Sequence, residues 1–333
     1  MPKQWTAEQV LELVRAFQPA CILAAAAELD VFTALANHSM TAACLATKLG
    51  TDSHATAVLL DALAALDLLE KQQDTYSVPA EVAEILTEQS PHNVLPGVRH
   101  LGNCLRRWAQ LAQVAKTGTP AEHVPSIRGE EADVAAFIGA MHNFCAPVAD
   151  EIIQRLRPLR FRHLLDIGGA SGTWTIAFLR AVPDAKATLF DLPEAMRLAQ
   201  ERIAKAGLSN RVNLVAGDFY EDDLPAGADF AWVSAITHQN SRRQNRALFA
   251  KVHAALEEDG VIAIRDVVMD ESRISPPAGA LFALNMLVGT EAGGTYTFDE
   301  FQQDLLHAGF TSVTLLHHDE RMNSLIRAKK QGA

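Results

Sequence analysis

The stretch HLLDIGGASG, His163 to Gly172, reads as a strand, a turn and the approach to a helix. The strand ends at Asp166–Ile167, and the helix begins near Thr173. Gly168 and Gly169 let the backbone turn tightly and approach a ligand with no Cβ in the way. The spacing is not the G-x-G-x-x-G of a dinucleotide site, and the turn lacks the Lys and Ser/Thr of a phosphate loop. An ordinary strand-to-helix turn would also use glycine. Outward from this point the same grammar repeats. Apolar runs ATLFD, RVNLVAG, DFAWVSAI, GVIAIRDVVM and TSVTLL alternate with helical stretches that reach Val182, Ala206 and Leu256 and then span Phe298–Ala308. Continuous apolar strands alternating with helices predict an α/β fold built on a parallel sheet covered on both faces. Ser241 with Gln244, and Thr297 with Glu300, form capping-box patterns that mark two helix starts.

Acidic residues recur at the strand ends. Asp191, in TLFDLPEAM, follows Asp166 by about 25 residues, the spacing at which a carboxylate can accept hydrogen bonds from ribose hydroxyls. An N-cap for the next helix is the competing reading. Asp218, in LVAGDFYE after Gly217, can accept from an adenine amino group while Phe219 packs on the ring. Acids at successive strand ends suit a positively charged ligand such as a sulfonium and suit pyrophosphate poorly. His238, in WVSAITHQNS, lies just beyond the fourth strand, on the rim where open α/β sheets bind ligands. Imidazole ordinarily titrates near neutrality, which makes His238 a candidate general base. Asp266, in AIRDVV on the adjacent strand, could orient the ring; a salt bridge to Arg265 is the alternative. No pattern of metal ligands is present.

The first hundred or so residues read as short helices, at Val10–Leu29, Thr41–Gly50 and Ala55–Leu69, with a small hairpin in EKQQDTYSV. Helix, helix, hairpin is the outline of a winged helix. Its second helix, Ser53–Leu66, carries no Lys or Arg, so the expected role is dimerisation rather than DNA reading. Long helices are expected at Val94–Lys116 and Glu130–Arg157, joined by a hinge or lid at Thr117–Arg128. Two domains result: 1–110, and 111–333 with the bridging helices of 111–158. A net charge of −11 repels phosphate backbones and argues against a nucleic-acid partner. The four cysteines are dispersed, as in a reducing compartment, and the apolar stretch Ala16–Ala27 falls short of the roughly 20 residues of a membrane span. A cytoplasmic protein without a membrane partner is the expectation.

In sequence order, LLDIGGASG, TLFDLPEAM, GDFYE, the His238 segment and GVIAIRDVVMDE resemble the small-molecule O-methyltransferases of plants and bacteria, over nearly the whole chain. The resemblance implies a class I Rossmann-like methyltransferase sheet behind an N-terminal winged-helix-like dimerisation domain, S-adenosylmethionine as methyl donor and S-adenosylhomocysteine as product. It implies a homodimer acting on a small-molecule acceptor. Gly168 and Gly169 would line the methionine part of the donor. Asp191 would hold the ribose, with Leu192 against the adenine, and Gly217, Asp218 and Phe219 would face the adenine. Ser234 stands where many plant members have a donor-contacting lysine. His238 matches the base and Asp266 an acidic group beside it. Met141, His142, Asn285 and Met286 match residues that face the acceptor, and Phe137 and Phe282 would add apolar walls; these hydrophobic residues also suit ordinary core. The chain departs from the family in three places. His238 is followed by Gln239-Asn240-Ser241-Arg242 rather than Asp-Trp-x-Asp, Thr295 stands near a second acidic position, and Ala170 replaces a third glycine. These departures keep open C-methylation or a non-methylating reaction on the same fold. A ligand-sensing regulator is the rival of another class.

Overall fold

The computed structural model describes residues 4–332. They form two compact units, one of the residues up to Ala109 with His123–Asn143, the other of Gln110–Glu122 with the chain from Phe144 onward. The bridging stretch His123–Asn143, expected with the second domain, therefore folds with the first. Local bonds explain it. The Asn143 side chain accepts from the Gly97 amide and donates to the Asn93 carbonyl, and Arg128 reaches Asp30. A Cβ on Gly139 would come within 2.7 Å of Pro96, so only glycine admits that approach of the two helices.

In the first unit, Thr41 caps the helix Ala42–Leu49, Gly50 ends it in the left-handed region, and Asp52 caps the helix Ser53–Ala65. The hairpin Glu70–Gln72 with Thr75–Ser77 follows, and Met40–Thr41 pairs on its other side. Phe32, Leu35, Leu45, Leu60, Leu63 and Tyr76 form the core. Two expected helices are broken. Val94–Lys116 divides into Leu95–Trp108 and Leu111–Thr117. Glu130–Arg157 divides at a 3-10 turn, Ala146–Val148, because Pro147 removes a backbone donor there. Thr117–Arg128 is pinned along its length rather than hung as a free flap. Ala121 donates to the Val288 carbonyl, Glu122 exchanges two bonds with Gln110, and Ser126 is held by Asp133.

At the N-terminal end the helix Ala7–Arg15 runs almost directly into Phe17–Glu28, and Ala7–Glu28 as a whole is long and apolar enough to cross a membrane by length and composition. The sequence reading counted only Ala16–Ala27 and missed the apolar residues before it. Trp5, Val10, Leu11, Leu13, Val14 and Phe17 are all exposed.

The second unit is built on seven strands: β1 (His163–Ile167), β2 (Lys186–Asp191), β3 (Val212–Ala216), β4 (Ala228–Ser234), β5 (Leu256–Asp266), β6 (Phe310–His317) and β7 (Ser324–Lys330). The spatial order is β6-β7-β5-β4-β1-β2-β3, with β7 antiparallel to both neighbours and every other pairing parallel. Helices α1 (Thr173–Ala181), α2 (Pro193–Lys205), α3 (Arg242–Ala255), α4 (Pro277–Gly289) and α5 (Phe298–His307) belong to this unit, as do the helices Leu111–Thr117 and Ala149–Arg155. Strand alternation sorts the core into two layers. Leu164, Trp232 and Ala263 face one with Phe178; Leu165, Val233, Ile262 and Ile264 face the other with Phe249 and Phe310. The chain leaves β3 at one edge and returns to β4 beside β1, so the order reverses between β1 and β4, the place where such sheets receive ligands. The sequence reading did not include β7 or α4. The basic tail of SLIRAKK hides a strand whose centre is buried, and the uniformly apolar α4 gives no amphipathic period.

Candidate active site

The glycine turn is held from both sides. Gly168, at φ +66°, donates from its amide to the Phe190 carbonyl at 2.8 Å, and a Cβ there would lie 2.4 Å from Ile236 Cδ1. A Cβ on Gly169 would lie 2.5 Å from Leu189 Cγ. Both positions therefore favour glycine for the packing of the turn itself. Ala170 also has positive φ, 44°, and its amide donates to Asp191 Oδ2 at 2.6 Å. Alanine is strained there by about 1–2 kcal/mol. Ala170→Gly should therefore raise stability by about 0.5–1 kcal/mol after the larger entropy of unfolded glycine is deducted. A fall in the denaturant midpoint would refute this.

Asp191 uses one oxygen on Ala170 and the other on the Leu192 amide, 2.7 Å away; burial nonetheless raises its pKa. Leu192 is exposed beside it. Beyond β3, Asp218 accepts from the Tyr220 amide at 2.8 Å, and the Phe219 and Tyr220 rings lie 4.5 Å apart. Lys251 of α3 donates to the carbonyls of Phe219, Tyr220 and Asp222, fixing this loop from below. Asp166 is fully buried and accepts from Thr175 Oγ1 at 2.6 Å; burial pushes its pKa to about 7, with the nearby Asp191 adding to the rise. A carboxyl raised in the folded state binds more protons than the unfolded chain between about pH 4 and 7, so its contribution to stability falls as pH rises through that window. Asp166→Asn should flatten that decline in denaturant titrations at several pH values. An unchanged slope would count against it.

At the end of β4 the chain makes a 3-10 turn, Thr237–Gln239. His238 Nδ1 lies 2.8 Å from Asp266 Oδ1. Asp266 also accepts from Thr237 Oγ1 at 2.5 Å, from the His238 amide at 3.3 Å and from the Val267 amide at 2.8 Å. Burial alone would raise the Asp266 pKa; the His238 charge and these hydrogen bonds outweigh it and hold the carboxyl below its ordinary value. The salt bridge to Arg265 is not formed, because successive strand residues face opposite sides. Phe282 of α4 sets its ring edge-on to His238 at 4.8 Å. Asn285 and Met286 follow Phe282 on the same helix by three and four residues, so they share its side. Met141 and His142 lie in the first unit on the helix Glu130–Cys145, half-buried, and Phe137 one turn earlier is exposed beside His100.

The departures after His238 prove to be structural. Asn240, fully buried, accepts from the Tyr220 hydroxyl at 2.5 Å and donates to Asn245, which donates to the Thr237 carbonyl. The Tyr296 hydroxyl donates to the Asn240 carbonyl. Arg242 turns away to a two-point bond with Asp304 of α5, which Arg246 also contacts. A Cβ on Gly293 would lie 2.6 Å from the His238 carbonyl, so that glycine lets the neighbouring loop close on the turn. Thr295 is buried and supplies only its backbone carbonyl, to Arg273. Sequence reasoning missed Thr237, Asn245 and Lys251 and the bonding role of Asn240: Thr237 and Lys251 find their partners in distant segments, Asn245 binds back to Asn240 and Thr237, and none carries a motif of its own. Among the described residues no metal-binding cluster of His, Cys, Asp and Glu is present.

An O-methyltransferase dimerisation domain matches residues 11–89, and an O-methyltransferase domain matches residues 115–311. The chain is 34% identical over 313 residues to the 8-O-methyltransferase of tetracenomycin polyketide synthesis from Streptomyces glaucescens, 91% of each chain being covered. It is 31% identical over 296 residues to the 3-hydroxy-5-methyl-1-naphthoate 3-O-methyltransferase of Streptomyces sahachiroi, covering 87% of this chain and 86% of that one. Human N-acetylserotonin methyltransferase, solved with S-adenosylmethionine, shares the fold with a TM-score of 0.81 at 24% identity, over 99% of this chain and all of that one. The acids at successive strand ends suit a sulfonium nucleoside. The chain belongs to the O-methyltransferase family and is an S-adenosylmethionine-dependent O-methyltransferase.

Proposed function

We propose that the protein methylates a hydroxyl of a small, flat, largely apolar aromatic or polycyclic metabolite, with His238 as general base. The observation that carries this is the His238–Asp266 contact of 2.8 Å at a sheet rim that also bears Asp191 and Asp218. Bound S-adenosylmethionine supplies a methyl group already activated on sulfur. The protein has to hold and align the reactants, which can contribute about 7–11 kcal/mol. Gly168 and Gly169 line the methionine part. Asp191 takes the ribose with Leu192 against the adenine, and Gly217, Asp218 and Phe219 face the adenine, with Ser234 at the end of β4. Asp266 accepts from Nδ1–H of His238, which leaves Nε2 to take the acceptor proton; the ionised Asp266 then balances the imidazolium. Asn285 and Met286 border the acceptor beside Phe282. Retention of an oxygen acceptor is supported by the polyketide and naphthoate substrates in the names of the two Streptomyces relatives.

The direct test is incubation with S-adenosylmethionine and a panel of hydroxylated naphthoates and polycyclic aromatic polyketides. S-adenosylhomocysteine and a methyl ether should form in equal amounts. Cofactor-dependent conversion without a methyl ether would sink the reading. The protein is proposed to act as a homodimer, supported by the dimerisation-domain match and by the exposed apolar side chains from Trp5 to Phe17, which a second copy would cover. The helix, helix, hairpin order supports a winged-helix-like form for that domain. Four free cysteines support a reducing, cytoplasmic location.

A further inference from the structure

The strand-end acids leave one charge of the cofactor without an opposite. S-adenosylmethionine carries a sulfonium, an ammonium and a carboxylate, whereas Asp191, Asp218 and Asp266 share the sign of that carboxylate. One guanidinium is buried at this rim. Arg265 is the penultimate residue of β5, only 3% exposed, and is in register with Ser234, the last residue of β4. Its side chain leaves the sheet on the face opposite Asp266.

The hydrogen bonds of Arg265 go to neutral groups. Nε and Nη2 donate to Asn323 Oδ1 at 2.9 and 2.7 Å, and Nη1 donates to Ser234 Oγ at 3.2 Å and to the Cys145 thiol at 3.9 Å. No bond to a carboxylate is made, and one of the five N–H groups has no hydrogen-bond partner among the described residues. The guanidinium lies 5.1 Å from the ring centre of Trp174, the second residue of α1, which starts at the glycine turn. The ring thus joins Arg265 to that turn. Asp266 and Asp319 lie near enough to favour its charge, yet a buried cation whose hydrogen bonds all go to neutral groups remains costly, and an arriving anion would relieve that cost.

We propose that Arg265 binds the carboxylate at the amino-acid end of S-adenosylmethionine. The inference rests on the donor assignment above. It gives the cofactor an ordered set of contacts across the rim, from the adenine at β3 through the ribose at β2 to the carboxylate between β4 and β5. Selectivity for the complete cofactor over truncated nucleosides follows from it.

The test compares two ligands by calorimetry. S-adenosylhomocysteine has the amino-acid end; 5′-methylthioadenosine has the same nucleoside thioether without it. Arg265→Met should weaken S-adenosylhomocysteine by about 10–100-fold and leave 5′-methylthioadenosine within about threefold, the loss expected for hydrogen bonds to a charged group. Arg265→Lys keeps the charge and should fall between. Binding of 5′-methylthioadenosine reports that each variant is folded, and the lysine variant serves if the methionine variant is not. A change of less than about fivefold in the ratio of the two dissociation constants, in whichever variant folds, overturns the proposal. Wild-type protein that binds neither ligand, or whose binding survives Asp191→Ala undiminished, would instead refute the donor placement.

Discussion

Replacing His238 with alanine is expected to lower kcat by about 10²–10⁴-fold, the usual worth of a positioned general base. Affinity for S-adenosylhomocysteine should change little, because the imidazole is held by Asp266 and Phe282 rather than by the residues assigned to the cofactor. Asp266→Asn should reduce kcat as well, since a neutral amide no longer balances an imidazolium. It should also cost stability, because Thr237, the His238 amide and the Val267 amide all donate to that carboxylate. Single-turnover rates with a phenolic acceptor, beside calorimetry with S-adenosylhomocysteine, separate the two effects. If His238→Ala keeps most of its turnover across pH 6–9, alignment alone accounts for catalysis and the base assignment is wrong.

Gly168→Ala should have an effect of similar size by a different route. The added methyl would sit 2.4 Å from Ile236 Cδ1 in a residue whose φ of +66° already disfavours a side chain. Left-handed strain of about 1–2 kcal/mol and overpacking of about 1–3 kcal/mol act together. Ile236 lies between Ser234 and His238, so a shift there reaches both ends of the site. Loss of S-adenosylhomocysteine binding, with an unfolding midpoint lowered by several degrees, is the expected result. A variant that binds normally would mean that the turn has room to spare. Ala170→Gly, two residues on, should move stability in the opposite direction, so two positions of one turn make a paired test.

The sheet could be read from the sequence where strands are buried on both faces. HLLDI, TLFD and AWVSAI have no other use for so many consecutive apolar residues. β7 escaped because its last residues are basic and its pairing partner β5 lies far away in sequence. α4 escaped because a helix apolar all round carries no period. Asp191, Asp218 and His238 were visible because each sits at a strand end or within a few residues of one, and strand ends are where open sheets place their chemistry. The polar network behind His238 was not. Asn240 contacts Tyr220, Asn245 and Tyr296, and only the folded chain says that the amide replaces an aromatic ring by hydrogen bonding rather than by bulk. Arg242 shows the same limit. Beside the base in sequence, it serves the packing of α3 on α5.

The antiparallel strand β7 has a consequence for synthesis. Ser324–Lys330 lies in the sheet between β5 and β6, so β5, which carries Asp266, receives one of its two flanking strands from a segment made long after it. Until that segment emerges from the ribosome, β5 presents an open, apolar edge. The base and its orienting carboxylate are thus fastened last, and a nascent chain stalled beyond Asp266 but short of Ser324 would hold every residue assigned to the cofactor's nucleoside while lacking the strand that secures the catalytic pair.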